Sequence, residues 1–258
     1  MKITWEITDD DVAQVSNLVK SFENNPFVIE RRRRNLERQR PELKESILWR
    51  VLIGCLLTTQ QRSSPDSPIN KFLNSEDFPL DYEKISNFND IASQVEKKIR
   101  VVNGIRFAPK LSNQISENFD KLEKGGWKDL LDKVKTLNDL QDPDKIIERE
   151  SAKKIAELKG FGPKQSRNFL QWLGLTQYEI CLDSRVIKWL SKIDFPDWIG
   201  GATLSEDKSY NFILDKVQEI CARADIKPCI LDAAIFAEAD KNRWNESNVR
   251  ENWLYPES

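Results

Sequence analysis

The chain contains no histidine, and this absence excludes several classes of enzyme. Without an imidazole there can be no Ser-His-Asp or Cys-His catalytic pair, no histidine general base and no histidine-ligated zinc or iron site. Any acid–base or nucleophilic chemistry must therefore be carried by Asp, Glu, Lys, Tyr, Ser or Cys side chains.

Cysteine is scarce, and its spacing matters more than its number. The four cysteines, Cys55, Cys181, Cys221 and Cys229, form no CxxC pair. A zinc or iron–sulfur site made only of cysteines needs tighter clustering than this. We therefore expect buried free thiols in a reducing compartment.

Long hydrophobic runs are absent as well. No segment approaches the roughly 18 consecutive apolar residues that a membrane-spanning helix requires. Residues 1–6 (MKITWE) lack the charged and then apolar pattern of a signal peptide. These features predict a protein with no secretion signal and no membrane contact. Its expected location is the cytoplasm or nucleoid of a prokaryote, or the nucleus of a eukaryote.

The charges nearly cancel in total, at 40 Lys+Arg against 42 Asp+Glu, but they are segregated along the chain. Residues 28–50 carry eight basic and four acidic side chains, and residues 151–192 carry eight and three. Residues 193–258 reverse the balance, with seven basic and thirteen acidic. This pattern predicts one basic face that could meet phosphate, although solvated helices would give it too. For the run from Arg31 to Arg34 we favour a solvated loop over a phosphate contact.

Hydrophobic periodicity predicts helices along nearly the whole chain, and alternating strand patterns are scarce. The chain is therefore predicted to be all-α. The segment over residues 46–57 is apolar on almost every side, which is typical of a central buried helix. Helices are expected over residues 9–22, 46–57, 91–102, 110–119, 127–134, 207–224 and 228–239.

The segment IAELKGFGPKQSRNFL, residues 155–170, predicts two helices joined by a tight turn. Gly160 and Gly162 flank one apolar residue and would let the backbone approach another molecule closely. Pro163 favours the first turn of the second helix, whose unpaired amides could bind a phosphate oxygen. The pattern is that of a helix-hairpin-helix, which binds DNA through its backbone; an ordinary glycine-rich connection is the alternative.

Two side chains near this segment could carry chemistry. Lys164 lies in the first helical turn, where the positive end of the helix dipole disfavours an ammonium and so favours a nucleophilic amine. Asp183 precedes an amphipathic helix and could stabilise a cationic sugar or deprotonate a nucleophile. A simple phosphate contact for Lys164 and a simple helix cap for Asp183 are the alternatives.

These elements together resemble the helix-hairpin-helix–GPD superfamily of DNA glycosylases. The hairpin, Lys164 and Asp183 match the family's hairpin, the lysine of its bifunctional members and its catalytic aspartate. The segment LLTTQQRS, residues 56–63, is similar to the element whose Gln or Asn fills the gap left by a flipped base. The segment GIRFAPK, residues 104–110, is similar to a stretch of the archaeal-type 8-oxoguanine glycosylases, the branch without an iron–sulfur cluster.

The resemblance implies a monomeric DNA N-glycosylase and abasic-site lyase of base excision repair. Its partner would be double-stranded DNA containing a damaged base, most simply 8-oxoguanine, and it would need no cofactor and no metal. Lys164 would form a Schiff base while Asp183 stabilises the charge. The implied DNA contacts are Gly160, Phe161, Gly162, Gln165, Ser166, Gln60, Gln61, Arg62 and Arg185, and the implied base-pocket residues are Trp198 and Phe236, with Trp189 a further stacking candidate.

The resemblance also implies two helical lobes on either side of a DNA-binding cleft. One lobe would combine residues 1–45 and 136–258, including the hairpin at about 151–175, and the other would comprise residues 46–135. The chain departs from the family at Leu182-Asp183-Ser184-Arg185, which lacks the usual histidine, and at its C-terminus, which lacks the usual lysine. Two alternatives stay open: a glycosylase/lyase for a different damaged base, and a non-catalytic helix-hairpin-helix DNA-binding protein.

Overall fold

A computed structural model describes residues 5–61, 64–193, 195, 203–240, 243–249 and 254. This part of the chain is helical and contains no β-strand, which confirms the predicted all-α class. None of its helices is both long enough and apolar enough to cross a membrane. The helices are α1 (Asp9–Phe22), α2 (Pro26–Arg31), α3 (Glu45–Leu57), α4 (Pro68–Leu73), α5 (Tyr82–Ile85), α6 (Ile91–Val101), α7 (Ala108–Lys121), α8 (Trp127–Asp139), α9 (Lys145–Ile155), α10 (Pro163–Trp172), α11 (Ser184–Leu190), α12 (Asp207–Arg223) and α13 (Pro228–Asp240).

Each helix that periodicity predicted is present, with ends within a few residues of the expected ones. Local chemistry explains the sharpest boundaries. Thr8 and Asp11 form a capping box at the start of α1, in which each side chain binds the other residue's backbone N–H. The short helices α2, α4 and α5 were not predicted, because four to six residues are too few to establish a periodic pattern.

Two apolar cores organise the molecule. The first core collects side chains from α3 to α10, and the second collects side chains from α1, α2 and α11 to α13. Both helices of the hairpin belong to the first core, through residues such as Ile155 and Phe169. The first core therefore extends to Leu175, beyond the predicted lobe of residues 46–135.

Helix α3 is the centre of the first core, as its uniformly apolar sequence predicts. Its side chains from Ile47 to Leu57 are buried, apart from Arg50. Helix α10 packs directly on it at Gly54, where an added Cβ would lie 2.3 Å from the Trp172 ring. The missing side chain at Gly54 thus lets the helix that carries Lys164 approach the central helix closely.

The arginine run was wrongly predicted as a solvated loop. Arg31 ends α2, and the next five residues form a π-helical turn. Arg34 is buried, and its guanidinium donates to the Trp172 carbonyl at 2.8 Å and to Glu30. Arg31 donates to Asp232 at 2.8 Å. Arg34 thus joins this turn to α10, and Arg31 joins α2 to α13. Both charges have partners within the protein.

A buried ion-pair cluster fixes the segment between α10 and α11. Glu179 is fully buried and accepts hydrogen bonds from Arg149 and Arg167, both at 2.9 Å, and from Gln218 at 3.2 Å. Arg167 lies one turn after Lys164 on α10, and Glu179 lies four residues before Asp183. The Arg167–Glu179 pair therefore sets the spacing between the two predicted catalytic residues.

Replacing Glu179 by glutamine is expected to destabilise the protein by about 3–5 kcal/mol, because the fully buried guanidinium of Arg167 loses its charged partner. Denaturant unfolding measures this change. The matched control is Asp215→Asn, which removes an exposed partner of the same Arg149. That variant is expected to cost at most about 1 kcal/mol. Equal losses of unfolding free energy in the two variants would show that the buried Arg167–Glu179 pair matters no more to stability than the exposed Arg149–Asp215 pair.

Candidate active site

The predicted hairpin has the expected shape, and one of its two glycines is conformationally required. Helices α9 and α10 flank the turn, and α10 begins at Pro163 as predicted. Gly160 has a φ of +82°, and an added Cβ would lie 2.6 Å from the Gln114 side chain. Gly162 is extended, with a φ of −143°, and serves as the N-cap of α10. A positive φ thus requires a glycine at position 160 but not at position 162, and the expected close approach of the backbone to another molecule stays a prediction.

Both predicted catalytic residues lie at helix N-termini. Lys164 is the second residue of α10, and within the described part of the chain its ammonium forms no ion pair. Asp183 is the N-cap of α11, and its Oδ1 accepts the backbone N–H groups of Arg185 at 2.8 Å and Val186 at 3.2 Å. The capping role is therefore real, and it holds the carboxylate in a fixed orientation.

Two adjoining cavities meet at these residues. The first cavity extends from Lys164 and Asp183 to Asp232, Phe236 and the α4 residues Asn70 and Asn74. The second cavity runs along the hairpin and is lined by Gln60, Gly160, Gly162 and Lys188. Lys164 and Asp183 line both cavities. The structure thus brings the amine and the carboxylate together at the junction of a pocket and a groove.

The nearest alternative nucleophile is the thiol of Cys181, which also lines the first cavity. Burial is the main cause that raises the pKa of this thiol to about 12; Lys164 opposes the shift and the Asp183 carboxylate adds to it. Because the thiolate is the nucleophilic form, this cysteine is inert at neutral pH. Lys164 is then the better nucleophile at the junction.

Arg185, predicted as a DNA contact, is turned toward the first cavity. Its Nε lies 3.3 Å from Asp183 Oδ2, and its guanidinium carbon lies 3.7 Å from the centre of the Phe236 ring. Its Nη1 lies 3.8 Å from Asp240. Arg185 therefore pairs with the Asp183 carboxylate and makes a cation–π contact with the Phe236 ring. The histidine that is usual near the aspartate in the resembling family could make such a contact only when protonated.

The two candidate glutamines have different environments. Gln61 donates to the Leu57 carbonyl at 2.9 Å and accepts the Arg106 backbone N–H at 2.7 Å, so it fastens two loops together. Gln60 is exposed, has a φ of +55° and lines the second cavity. Phe107 also has a positive φ and is exposed. The guanidinium of its neighbour Arg106 donates to the Gln60 backbone carbonyl, which holds the two loops together. Gln60 is thus the glutamine available to DNA; the predicted contact Arg62 lies outside the described residues.

Three of the predicted hairpin contacts have buried or half-buried side chains. Gln165 is buried and donates to Thr59 Oγ1 at 2.8 Å, and Ser166 is buried and donates to the Pro163 carbonyl. Phe161 packs against the first core, with its ring 6.2 Å from that of Phe169. The side chains of Gln165 and Ser166 are therefore bonded within the protein, although Gln165 also lines the second cavity. The backbone amides of the first turn of α10 are further candidates for binding a phosphate, and the DNA contacts of this turn stay a prediction.

An aromatic wall lies at the far end of the first cavity. Phe236, predicted for a base pocket, stacks on Phe27 at 4.5 Å, and Trp244 lies 5.1 Å from Phe27. All three line this cavity. Trp189 is instead buried in the second core, and Trp198 lies outside the described residues. Phe27 and Trp244 were missed because neither stands near a recognisable motif.

Sequence reasoning also missed a polar group in the same cavity. The Asp232 carboxylate is buried beside the cavity and accepts hydrogen bonds from Arg31 and Gln171. Burial raises the pKa of this carboxyl, while Arg31 opposes the shift. No local signal could have found it, because Asp232 and Arg31 are 201 positions apart in the sequence.

The all-helical fold of the described residues matches solved structures over most of the chain. Solved structures with the same fold are 8-oxoguanine DNA glycosylases. The enzyme from Methanocaldococcus jannaschii has a TM-score of 0.65 and 16% identity, over 88% of this chain and 92% of its own. The enzyme from Thermotoga maritima has a TM-score of 0.63 and 17% identity, over 89% and 96%.

A third solved structure is the Methanocaldococcus jannaschii 8-oxoguanine glycosylase/lyase in complex with a 15mer DNA containing 8-oxoguanine. It has a TM-score of 0.57 and 16% identity, over 92% of this chain and 93% of its own. No protein-family model matches the chain, and no curated protein matches it either. At these identities the likeness establishes the fold, and the residues at the junction must carry any argument about chemistry.

Proposed function

We propose that this protein is a DNA glycosylase that removes a damaged base, most simply 8-oxoguanine, and then cleaves the strand at the abasic site. The observation that carries the proposal is that Lys164 and Asp183 both line the junction of the two cavities. A groove beside the hairpin suits a DNA backbone, and a pocket with an aromatic wall suits a flipped base.

The proposed chemistry needs only these two side chains. A damaged nucleotide flips into the first cavity at a cost of about a few kcal/mol in lost stacking. The Lys164 amine attacks the sugar C1′ as the base departs, and the Asp183 carboxylate stabilises the positive charge that develops on the sugar. The Schiff base that follows allows β-elimination of the 3′ phosphate. Gly160, Gly162 and the first-turn amides of α10 would hold the backbone of the DNA.

Borohydride trapping tests the whole proposal. The wild-type chain is incubated with a panel of duplexes, each carrying one defined lesion or a preformed abasic site. We expect a covalent adduct and a β-elimination product with the abasic duplex and with the 8-oxoguanine duplex. If adducts form with a different lesion and not with 8-oxoguanine, the proposed substrate is wrong but the proposed Schiff-base chemistry stands. DNA binding without any adduct, even at abasic sites, would favour a non-catalytic DNA-binding protein.

The exposed Gln60 is proposed to fill the gap that the flipped base leaves. Gln60→Ala is therefore expected to slow excision by about 10-fold and to weaken the preference for one opposite base, because one amide donor and acceptor pair is lost. Excision rates against each of the four opposite bases measure the effect. The control is Gln14→Ala, at a half-buried glutamine on α1 that lines neither cavity, and this variant should leave every rate unchanged. An unchanged opposite-base preference in Gln60→Ala would contradict this role.

A further inference from the structure

The tip of the α6–α7 pair carries positive charge that the Lys164 and Asp183 chemistry does not use. We call residues 97–110 the basic tip; they comprise the end of α6, the connecting loop and the start of α7. The basic tip has no acidic side chain and five basic ones, all exposed: Lys97, Lys98, Arg100, Arg106 and Lys110. Because like charges repel one another, a surface that collects them without acidic neighbours favours an anionic partner.

The protein itself neutralises little of this charge. Arg100 pairs with Glu96, one turn earlier on α6, at 2.6 Å. Within the described part of the chain, Lys97 and Lys110 form neither a hydrogen bond nor an ion pair. Their ammonium groups are therefore available to a ligand.

The basic tip is fastened to the loop that carries Gln60. The backbone N–H of Arg106 donates to Gln61 Oε1 at 2.7 Å, and the Arg106 guanidinium donates to the Gln60 backbone carbonyl. Gln60 lines the second cavity, which runs along the hairpin. The basic tip is therefore continuous with this groove at Gln60.

A separate set of contacts places Lys110 on the face of α7 that meets the hairpin. Residues 110, 114, 117 and 121 are three or four positions apart and so share one face of this helix. The last three of them contact the hairpin: Gln114 lies against Gly160, Glu117 pairs with Lys159 at 3.1 Å, and Lys121 donates to the Glu157 carbonyl at 3.0 Å. Lys110 lies on this face one turn before Gln114, so it can bind a phosphate beside the groove that Gly160 lines.

We propose that the basic tip is a second DNA-binding surface, on which Lys97, Arg100 and Lys110 bind backbone phosphates of the undamaged duplex beyond Gln60. Duplex DNA is the partner that the charge fits, because the basic tip continues the groove proposed for DNA. Phosphate contacts read no base, so this surface holds undamaged and damaged DNA equally. The inference rests on the proposed function only in taking the second cavity as a DNA groove, and it requires neither base excision nor strand cleavage.

A triple variant, Lys97→Gln with Arg100→Gln and Lys110→Gln, removes the three proposed phosphate contacts. All three side chains are exposed and none lines either cavity, so the fold should be retained. We expect the affinity for an undamaged duplex of about 25 base pairs to fall about 10- to 30-fold at physiological salt. The slope of log K against log salt should become shallower by about 2 to 3, because each phosphate contact contributes about 0.9. Fluorescence anisotropy over a range of salt concentrations measures both.

Two matched variants separate local contacts from net charge and from structure. The first removes the same charge from exposed positions on α8 and the turn before it, and should keep the wild-type slope: Lys124→Gln, Lys128→Gln and Lys135→Gln. The second keeps every charge of the basic tip and should keep the wild-type slope and affinity within about twofold: Lys97→Arg, Arg100→Lys and Lys110→Arg.

The outcomes separate the inference from the proposed function. Weaker binding with a shallower slope in the basic-tip variant alone supports the inference, even if no duplex gives a borohydride adduct. Wild-type binding by that variant overturns the inference, and a wild-type adduct then leaves the glycosylase standing. Equal losses in the basic-tip and α8 variants would mean that only net charge matters, which also overturns it. So would unchanged DNA binding together with lost binding to vesicles of anionic phospholipid.

Single variants keep the test decisive if the triple variant loses its thermal unfolding transition. Lys97→Gln and Lys110→Gln should each make the slope shallower by about 0.9, because each removes one phosphate contact. Folded single variants that both keep the wild-type slope would overturn the inference.

Discussion

Replacing Lys164 by glutamine is expected to abolish the borohydride-trapped adduct and to slow strand cleavage by at least about 1000-fold, because the amide cannot form a Schiff base. The measurement is gel separation of free and trapped DNA on an abasic duplex, together with the rate of strand cleavage. DNA affinity should change by less than about 1 kcal/mol, because only one half-buried charge is removed and the backbone amides proposed to hold the DNA are unchanged. The effect should therefore fall on catalysis rather than on binding.

The control for this variant is another lysine on the same groove. Lys188 lies on α11 and lines the second cavity together with the proposed nucleophile, but it does not line the first cavity. Lys188→Gln should keep the adduct in full. An adduct that persists in Lys164→Gln and disappears in Lys188→Gln would transfer the nucleophilic role to α11.

The sequence predicts those parts of the molecule that depend on local chemistry. Helix α3 is apolar on nearly every side and is the buried centre of the first core. Pro163 begins α10 and Asp183 caps α11, because proline and aspartate favour these positions through their own backbone and side chain. The junction of Lys164 and Asp183 could therefore be anticipated from motifs alone.

The rest of the site depends on contacts between distant residues. Four consecutive arginines are typical of a solvent-exposed segment, yet Arg34 is buried and Arg31 is half-buried, because partners from α10 and α13 accept their hydrogen bonds. Gln165 stands where a DNA contact was expected, but it bonds Thr59, more than a hundred positions earlier. A single sequence does not record which distant groups meet, and this is why the polar group around Asp232 emerged only from the structure.

The core in which the hairpin helices pack also depends on contacts between distant residues. The hairpin helices were assigned by analogy to the lobe that also contains the N-terminal residues. In the structure, Ile155 and Phe169 pack in the first core because α10 lies against α3 at Gly54. Lys164 thus lies on a helix that packs in the first core. Asp183 directly follows Leu182, which packs in the second core together with Ile180. The two reactive groups meet where the two cores meet, and the Arg167–Glu179 pair bridges that boundary.

Asp183→Asn is expected to slow base excision by about 100- to 1000-fold with almost no loss of stability. The asparagine side-chain oxygen can still accept the two backbone N–H groups that Asp183 caps, so the start of α11 is preserved. What disappears is the negative charge that would stabilise the cationic sugar. Single-turnover excision of 8-oxoguanine measures the rate, and denaturant unfolding measures the stability.

Two further variants separate charge from capping. Asp183→Ala loses both, so it should be as slow as Asp183→Asn and in addition about 1 kcal/mol less stable. Asp144 caps α9 in the same way, with Oδ1 accepting the N–H groups of Ile146 and Ile147. Asp144→Asn should leave excision unchanged because its carboxylate does not line either cavity. Near-normal excision by Asp183→Asn would mean that Asp183 is only a helix cap, since the cap is the one property that this variant retains.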